Sequence, residues 1–253
     1  MISIANHYGC GHPEFLNYRG FLAGVECEVE AVSNPQSMGR FTVTNDGSLR
    51  NEGYEFISTP ASRENLVEAF KSLHQHLKFM EGSDPFSVRT STHVHVNCLN
   101  LDLQQVRILV LLYALFEEFF FMMVKPERRD NIHCVPLTET HMPGLYKHPL
   151  PTYVKNWHKY TALNLKRLSD LGTVEFRHLH GTNNISEFNC WLSVLENLWT
   201  LAQQTQINKD TLSKENITGW FNTIFQPSPR ILSMRTSLFD IIRNSLIDVK
   251  FSV

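Results

Sequence analysis

Seven side chains on four short segments have the types needed for metal and phosphate chemistry: Glu26 and Glu28, Glu55, His93 and His95, and Glu175 with Arg177. The first segment reads Gly24-Val25-Glu26-Cys27-Glu28-Val29-Glu30. Successive side chains on a strand point to opposite faces, so Val25, Cys27 and Val29 share one face and Glu26, Glu28 and Glu30 the other. In Thr92-His93-Val94-His95-Val96-Asn97 the same alternation sets His93, His95 and Asn97 against Val94 and Val96, and in Val174-Glu175-Phe176-Arg177 it sets Glu175 and Arg177 against Val174 and Phe176. Tyr54-Glu55-Phe56-Ile57-Ser58 is equivocal, because Ile57 shares the face of Glu55. Carboxylate oxygens and neutral imidazole nitrogens are ligands for Mg²⁺, Mn²⁺ or Zn²⁺. Carboxylates held close together repel one another unless a cation stands between them. An arginine among them suits a phosphate or a substrate carboxylate. The pattern is that of a metal–phosphate site. The alternative is that each strand has one solvated face, as antiparallel sheets often do, although such faces favour Lys, Thr and Ser and these strands carry almost no Lys.

Those strands need elements to hold them. A further strand is expected over Arg40–Thr44, followed by turn chemistry at Asn45-Asp46-Gly47-Ser48. Thr59-Pro60 has the form of a helix start, with Leu66, Phe70, Leu73 and Leu77 following at helical spacing. His74 and His76 on this helix are expected to be exposed and without a role. A long apolar helix runs from about Leu103 to Val124 and stops at Pro126. Arg107, Glu117 and Glu118 interrupt it, so it lacks the roughly eighteen uncharged apolar residues of a membrane span. The stretch from Glu127 to Tyr160 is irregular, with Pro136, Pro143, Gly144, Pro149 and Pro151, and reads as a lid or substrate loop. Ser186 can cap a helix striped by Phe188, Trp191, Leu192, Leu195 and Trp199. The tail from Asp210 adds two or three shorter helices, including Ser237 to Asp248. His7, Cys10 and His12 cluster before the first strand, where a loop over one end of the sheet is preferred to a metal site. This order predicts an α+β fold, an antiparallel sheet with helices packed on its apolar face, as one domain over residues 1–253.

Composition narrows the partners. A chain of 253 residues with 42% hydrophobic and 19% charged residues suits a globular protein rather than a disordered one. A net charge of -2 without long charged runs does not advertise bulk nucleic-acid or membrane-surface binding. Five cysteines, an odd number with no CxxC, favour reduced thiols and a cytoplasmic setting, and Met1 to Phe15 lacks a signal-peptide core.

The motifs, in order, resemble those of the amidoligase family, within the glutamine synthetase-like carboxylate–amine ligases. Gly24-Val25-Glu26-Cys27-Glu28 resembles its opening G-x-E-x-E. Asp46-Gly47-Ser48 and Gly53-Tyr54-Glu55-Phe56-Ile57-Ser58-Thr59-Pro60 resemble its D-x-S and G-x-E segments. Thr92-His93-Val94-His95-Val96 resembles its H-x-H strand, with Thr92 where the family usually has Gly. Arg128-Arg129-Asp130-Asn131-Ile132-His133-Cys134 resembles its Arg-rich segment, and Gly172-Thr173-Val174-Glu175-Phe176-Arg177 with Gly181-Thr182 its closing signature. The resemblance spans roughly residues 20 to 200 and leaves a helical extension, 205–253, uncovered.

The resemblance implies a glutamine synthetase-like catalytic domain with ATP and two cations, Mg²⁺ or Mn²⁺. Glu26, His93 and Glu175 would hold the cation that bridges the phosphates, and Glu28 and Glu55 the one nearer the acceptor. Asp46 would assist at the substrate or only organise its turn, His95 would face substrate, and Arg177 would contact the transferring phosphate. Arg128 and Arg129 would be candidates for ATP or substrate binding. Glu30 matches no required motif position and is expected to be solvated. The implied reaction joins a small-molecule or peptide carboxylate to an amine through an acyl phosphate, with residues 127–160 as cover against water. Nucleic acid enters only if a modified base is the substrate. Competing readings are a metal-dependent hydrolase using the His93 and His95 pair with Glu175, a binding module with merely wet faces, and a nucleotide binder without catalysis.

Overall fold

The computed structural model describes residues 2–50, 52–140 and 149–253. Its centre is one antiparallel sheet of six strands in the order β2-β3-β1-β4-β6-β5. The strands are β1 (Ala23–Val29), β2 (Phe41–Asn45), β3 (Tyr54–Ser58), β4 (Thr92–Asn97), β5 (Leu163–Asn164) and β6 (Thr173–Phe176). The expected α+β class and antiparallel sheet are what the structure shows.

One face of the sheet is the core. Val25, Cys27, Phe56, Val94, Val96, Val174 and Phe176 are all buried there. The helices of ten residues or more are α1 (Arg63–His76), α2 (Leu103–Met122), α3 (Ile185–Gln204), α4 (Lys214–Phe225) and α5 (Arg243–Ser252). Helix α2 is buried on nearly every side from Val106 to Phe121, which is why its sequence is apolar all round. A capping box starts it: the Asp102 side chain accepts from Gln105 N, and the Gln105 side chain accepts from Asp102 N. Aromatic pairs join the helices, with Phe70 of α1 stacked on Phe188 of α3 at 4.0 Å between centroids and Phe119 of α2 against Phe221 of α4 at 4.8 Å. The tail is part of this layer: Ser245 in α5 donates to the Leu115 carbonyl, and Arg107 donates to that of Ser252.

Several local expectations are corrected by long-range contacts. Helix α1 begins after Ser62, not at Thr59-Pro60, because Ala61 and Ala23 exchange both backbone bonds and keep that stretch extended beside β1. The cap of α3 is Asn184, whose side chain accepts from Ser186 N and Glu187 N, rather than Ser186. His74 is not a surface residue. It packs against Phe70 and Phe86, and burial pushes its imidazole down to about 4. Glu30 is buried rather than solvated, and its carboxylate accepts from Arg50 N at 2.8 Å. The stretch expected to be irregular contains helices at Leu137–Thr140 and Leu150–Lys155. Residues 141–148 of the proposed cover lie outside the described residues. Among the described residues, no helix is long and apolar enough to cross a membrane.

Candidate active site

The uncovered face of the sheet gathers the ionisable side chains because pairing puts them opposite one another. Glu28 on β1 faces Glu55 on β3. Glu26 faces His93 on β4. His95 faces Glu175 on β6, and Glu175 faces Asn164 on β5. Directly opposed residues share a face at short Cβ distance, so five strands contribute to one floor. Two groups of ligand atoms each lie within 4.8 Å of one another: Glu26, His93 and Glu175, and Glu28, Glu55 and His93.

Hydrogen bonds orient this floor. The Ser91 amide and hydroxyl both donate to Glu28 Oε2, at 2.7 and 2.5 Å, and the same hydroxyl lies 2.7 Å from His93 Nε2. A serine hydroxyl has one proton, and here Glu28 takes it. His93 Nε2 must therefore carry the proton it donates to Ser91, so Nδ1 bears a second proton in the imidazolium and is a lone pair in the neutral ring. That atom points between two carboxylates, 3.4 Å from Glu26 Oε2 and 3.6 Å from Glu175 Oε1. Between two anions Nδ1 either bears a proton or, as a lone pair, calls for a cation among them. A ligand nitrogen oriented by a hydrogen bond from its other ring atom is the usual arrangement around a bound metal. The oxygen-rich donors suit a hard cation such as Mg²⁺ or Mn²⁺.

Charge differs between the two halves of the floor. Burial alone would raise the Glu26 carboxyl, but the His93 and His95 imidazoles beside it outweigh burial and hold it well below the usual carboxylate range. Glu175 is likewise held low despite its burial, by His93, Arg177 and His95. Its Oε2 accepts from Asn164 Nδ2 at 2.6 Å, and Arg177 Nη1 donates to Oε1. Glu55 goes the other way: burial first, then the charges of Glu26, Glu28 and Asp46, push it up to about 8. His95 Nε2 is 3.0 Å from Glu26 Oε1, an ion-pair contact without hydrogen-bond alignment, and belongs to neither ligand group.

Above the floor is a cleft of about 1040 Å³, walled by Arg89, Arg128, Lys159, Arg167 and Arg177 among others. Asp46 lies on its edge, its Oδ1 accepting from Ser48 N at 2.8 Å. Beside it is a recess of about 520 Å³, mostly apolar, with Phe15, Ile57, Pro60, Leu99 and Leu171 in its walls. Cleft and recess share Glu26 and His95.

The two adjacent arginines diverge. Arg128 is buried against the cleft, with Nε donating to the His178 carbonyl at 3.0 Å and Nη2 to that of Arg177 at 2.5 Å. Arg129 turns away from the floor, pairs with Glu118 at 3.0 Å, lies over the Phe121 ring and lines a separate cavity. The structure therefore does not bring Arg129 to the remaining candidates. A second buried carboxylate, Glu117, braces the start of the 127–160 stretch. It accepts from Tyr113 Oη, Leu137 N, Thr138 N and Thr138 Oγ1 at 2.6–2.9 Å. Ser91, Asn164, Arg167 and Glu117 were not singled out from the sequence. Ser91 was within reach, since it extends the alternation of His93, His95 and Asn97 by one step.

A family model described as "Putative amidoligase enzyme" matches residues 26–199, which is more than half of the chain and takes in all five residues of the two ligand groups and Arg177. Among curated proteins, none matches the chain. The matched stretch begins at Glu26 itself and ends within α3, and the chain belongs to this amidoligase family of ligase-type enzymes.

Proposed function

We propose that the protein is an ATP-dependent carboxylate–amine ligase of glutamine synthetase-like type, acting through an acyl phosphate. The observation that carries this reading is His93 Nδ1 aimed between Glu26 and Glu175, beside a second group formed by Glu28, Glu55 and His93. Two divalent cations held there would screen the phosphate oxygens and polarise the transferring phosphoryl group. Arg177 is placed beside Glu175 to meet the charge on that group. The neighbouring recess suits the nucleoside of ATP, because it is apolar and opens onto the floor at Glu26 and His95.

In the first step a substrate carboxylate oxygen attacks the γ-phosphorus, the bond to the bridging oxygen breaks, and ADP leaves. In the second the amine nitrogen attacks the acyl carbon, phosphate leaves with the electron pair of the broken C–O bond, and the nitrogen gives up a proton. Glu55 and Asp46, on the same side of the cleft, are the carboxylates available to hold the amine and receive that proton. Residues 127–160, fastened by Glu117, are the proposed water-excluding cover. The five free cysteines support a cytoplasmic setting. A hydrolase using both histidines on one metal is less well supported, because His95 joins neither ligand group. The test is Glu175→Gln assayed for ADP release against pooled acids and amines with ATP and Mg²⁺. A folded variant should lose turnover, and wild-type ADP release from it would refute the assignment.

A further inference from the structure

The floor and the recess leave one large feature without a role. A second cavity of about 880 Å³ lies on the far side of the turn that follows α2. Two segments border both spaces. In the first, Phe86 faces the second cavity while Val88, Arg89 and Ser91 face the cleft. In the second, Pro126 and Arg129 face the second cavity, Glu127, Arg128 and Asn131 face the cleft, and Asp130 lines both. The two spaces therefore adjoin at Asp130, and a ligand crossing there would occupy them as one furrow. It lies at the Ser91 and Glu28 end of the floor, where β1 continues its pairing to Ser91, and away from the apolar recess at Gly24 and Asn97. Each bordering segment also presents an aliphatic side chain to solvent at the cleft: Val88 is 70% exposed and Ile132 74%.

Resting on the ligase reading, we infer that the furrow binds an extended peptide whose reactive end reaches the Glu28 and Glu55 half of the floor while its remaining residues occupy the second cavity. Length is the first argument. An ammonium ion or a free amino acid fits within the cleft, and the second cavity alone has the size of a site for a drug-sized ligand. Its lining is the second argument. Phe86, Phe121, Met122 and Met123 offer an adaptable apolar bed, and Met in particular accommodates varied side chains. Charge is the third. Lys125, Arg129 and Arg230 are matched by Glu118, Asp130 and Glu187, so the cavity lacks the positive excess that a polyanion requires. Mixed apolar, charged and hydrogen-bonding surface beside two exposed aliphatics is what a polypeptide would use.

The test loads immobilised protein with Mg²⁺ and a non-hydrolysable ATP analogue, adds a pool of randomised decapeptides, and quantifies the retained peptides by mass spectrometry. The variants are Val88→Asp with Ile132→Asp, and Arg230→Glu, all at positions exposed enough to leave the fold intact. Thermal shift with the same analogue is recorded in parallel. The expected result is selective retention of a subset of peptides by the wild type, about tenfold less by the variants, as for loss of one or two apolar anchors, and an unchanged analogue-induced shift in all three. No retained peptide, or equal retention by the variants, overturns the inference while a normal shift leaves the ligase reading standing. A wild type that shows no shift overturns the ligase reading and the inference with it.

Discussion

Glu55→Gln should stabilise the metal-free protein at alkaline pH and weaken its response to Mg²⁺. The Glu55 carboxyl rises from 4.5 to about 8 on folding, through burial and then the charges of Glu26, Glu28 and Asp46. A carboxyl raised on folding binds more protons in the native state between those values. Its contribution is therefore fully present below pH 4.5 and is lost as the pH climbs toward 8. At about 1.4 kcal/mol per pH unit the full shift would be several kcal/mol. Solvent screening at this partly exposed side chain reduces it to about 1–3 kcal/mol. In EDTA the variant should thus melt above the wild type at pH 8, by several degrees at roughly 2–4 °C per kcal/mol, with the gap narrowing toward pH 5. Added Mg²⁺ should reverse the order, because a cation at a hundred times its Kd contributes about 2.7 kcal/mol to the wild type and less to a site lacking one carboxylate. Calorimetry at pH 5 and 8, with EDTA or Mg²⁺, measures all of this. A gap indifferent to pH would refute the electrostatic argument, and equal Mg²⁺ gains would refute Glu55 as a ligand.

Two further substitutions separate the fold from the site. His74→Phe should stabilise by about 1–3 kcal/mol near neutral pH, since both buried ring nitrogens lack a partner and Phe keeps the contacts with Phe70 and Phe86. Because burial depresses the His74 imidazole to about 4, the wild type holds this part of its stability above pH 6.5 and loses it as the pH falls toward 4, whereas the variant should melt without that acid slope. Glu117→Ala should cost about 3–5 kcal/mol in denaturant unfolding, because it strands the amides of Leu137 and Thr138 and the Tyr113 hydroxyl in the interior. A loss below 1 kcal/mol would show that the 137–138 stretch does not depend on it.

What could be read from the chain alone follows from periodicity. Strands with a clean two-residue alternation, β1 and β4, announced both their core side and their floor side, so Glu26, Glu28, His93 and His95 were legible before any contact was known. Asn164 was not, because a two-residue strand has no period to detect, and its place is settled by pairing with Glu175. His74 sits four residues after Phe70 and one after Leu73, on the margin of the buried stripe, where spacing alone does not decide exposure. The turn at Pro126–Arg128 has no repeat that would phase its neighbours, so Arg128 and Arg129 could be paired in motif and yet point apart. Thr59-Pro60 carried sound capping chemistry that a distant pair of bonds to Ala23 overrode.

The same electrostatics explains why the floor divides into two unlike halves. Around Glu26 and Glu175 the protein supplies its own compensation in His93, His95 and Arg177, and both carboxyls stay low despite burial. Around Glu28 and Glu55 the compensation is weaker. Ser91 satisfies one oxygen of Glu28 with hydrogen bonds that carry no net charge, and His95 offsets Glu55 only in part. An arriving cation therefore relieves more repulsion at Glu28 and Glu55 than at Glu26 and Glu175, where it must also compete with the Arg177 guanidinium for Glu175. The Glu28 and Glu55 half therefore has the stronger demand for a permanent cation. On the ligase reading, the Glu26 and Glu175 half, balanced without one, would take its cation together with the nucleotide that brings the further negative charge.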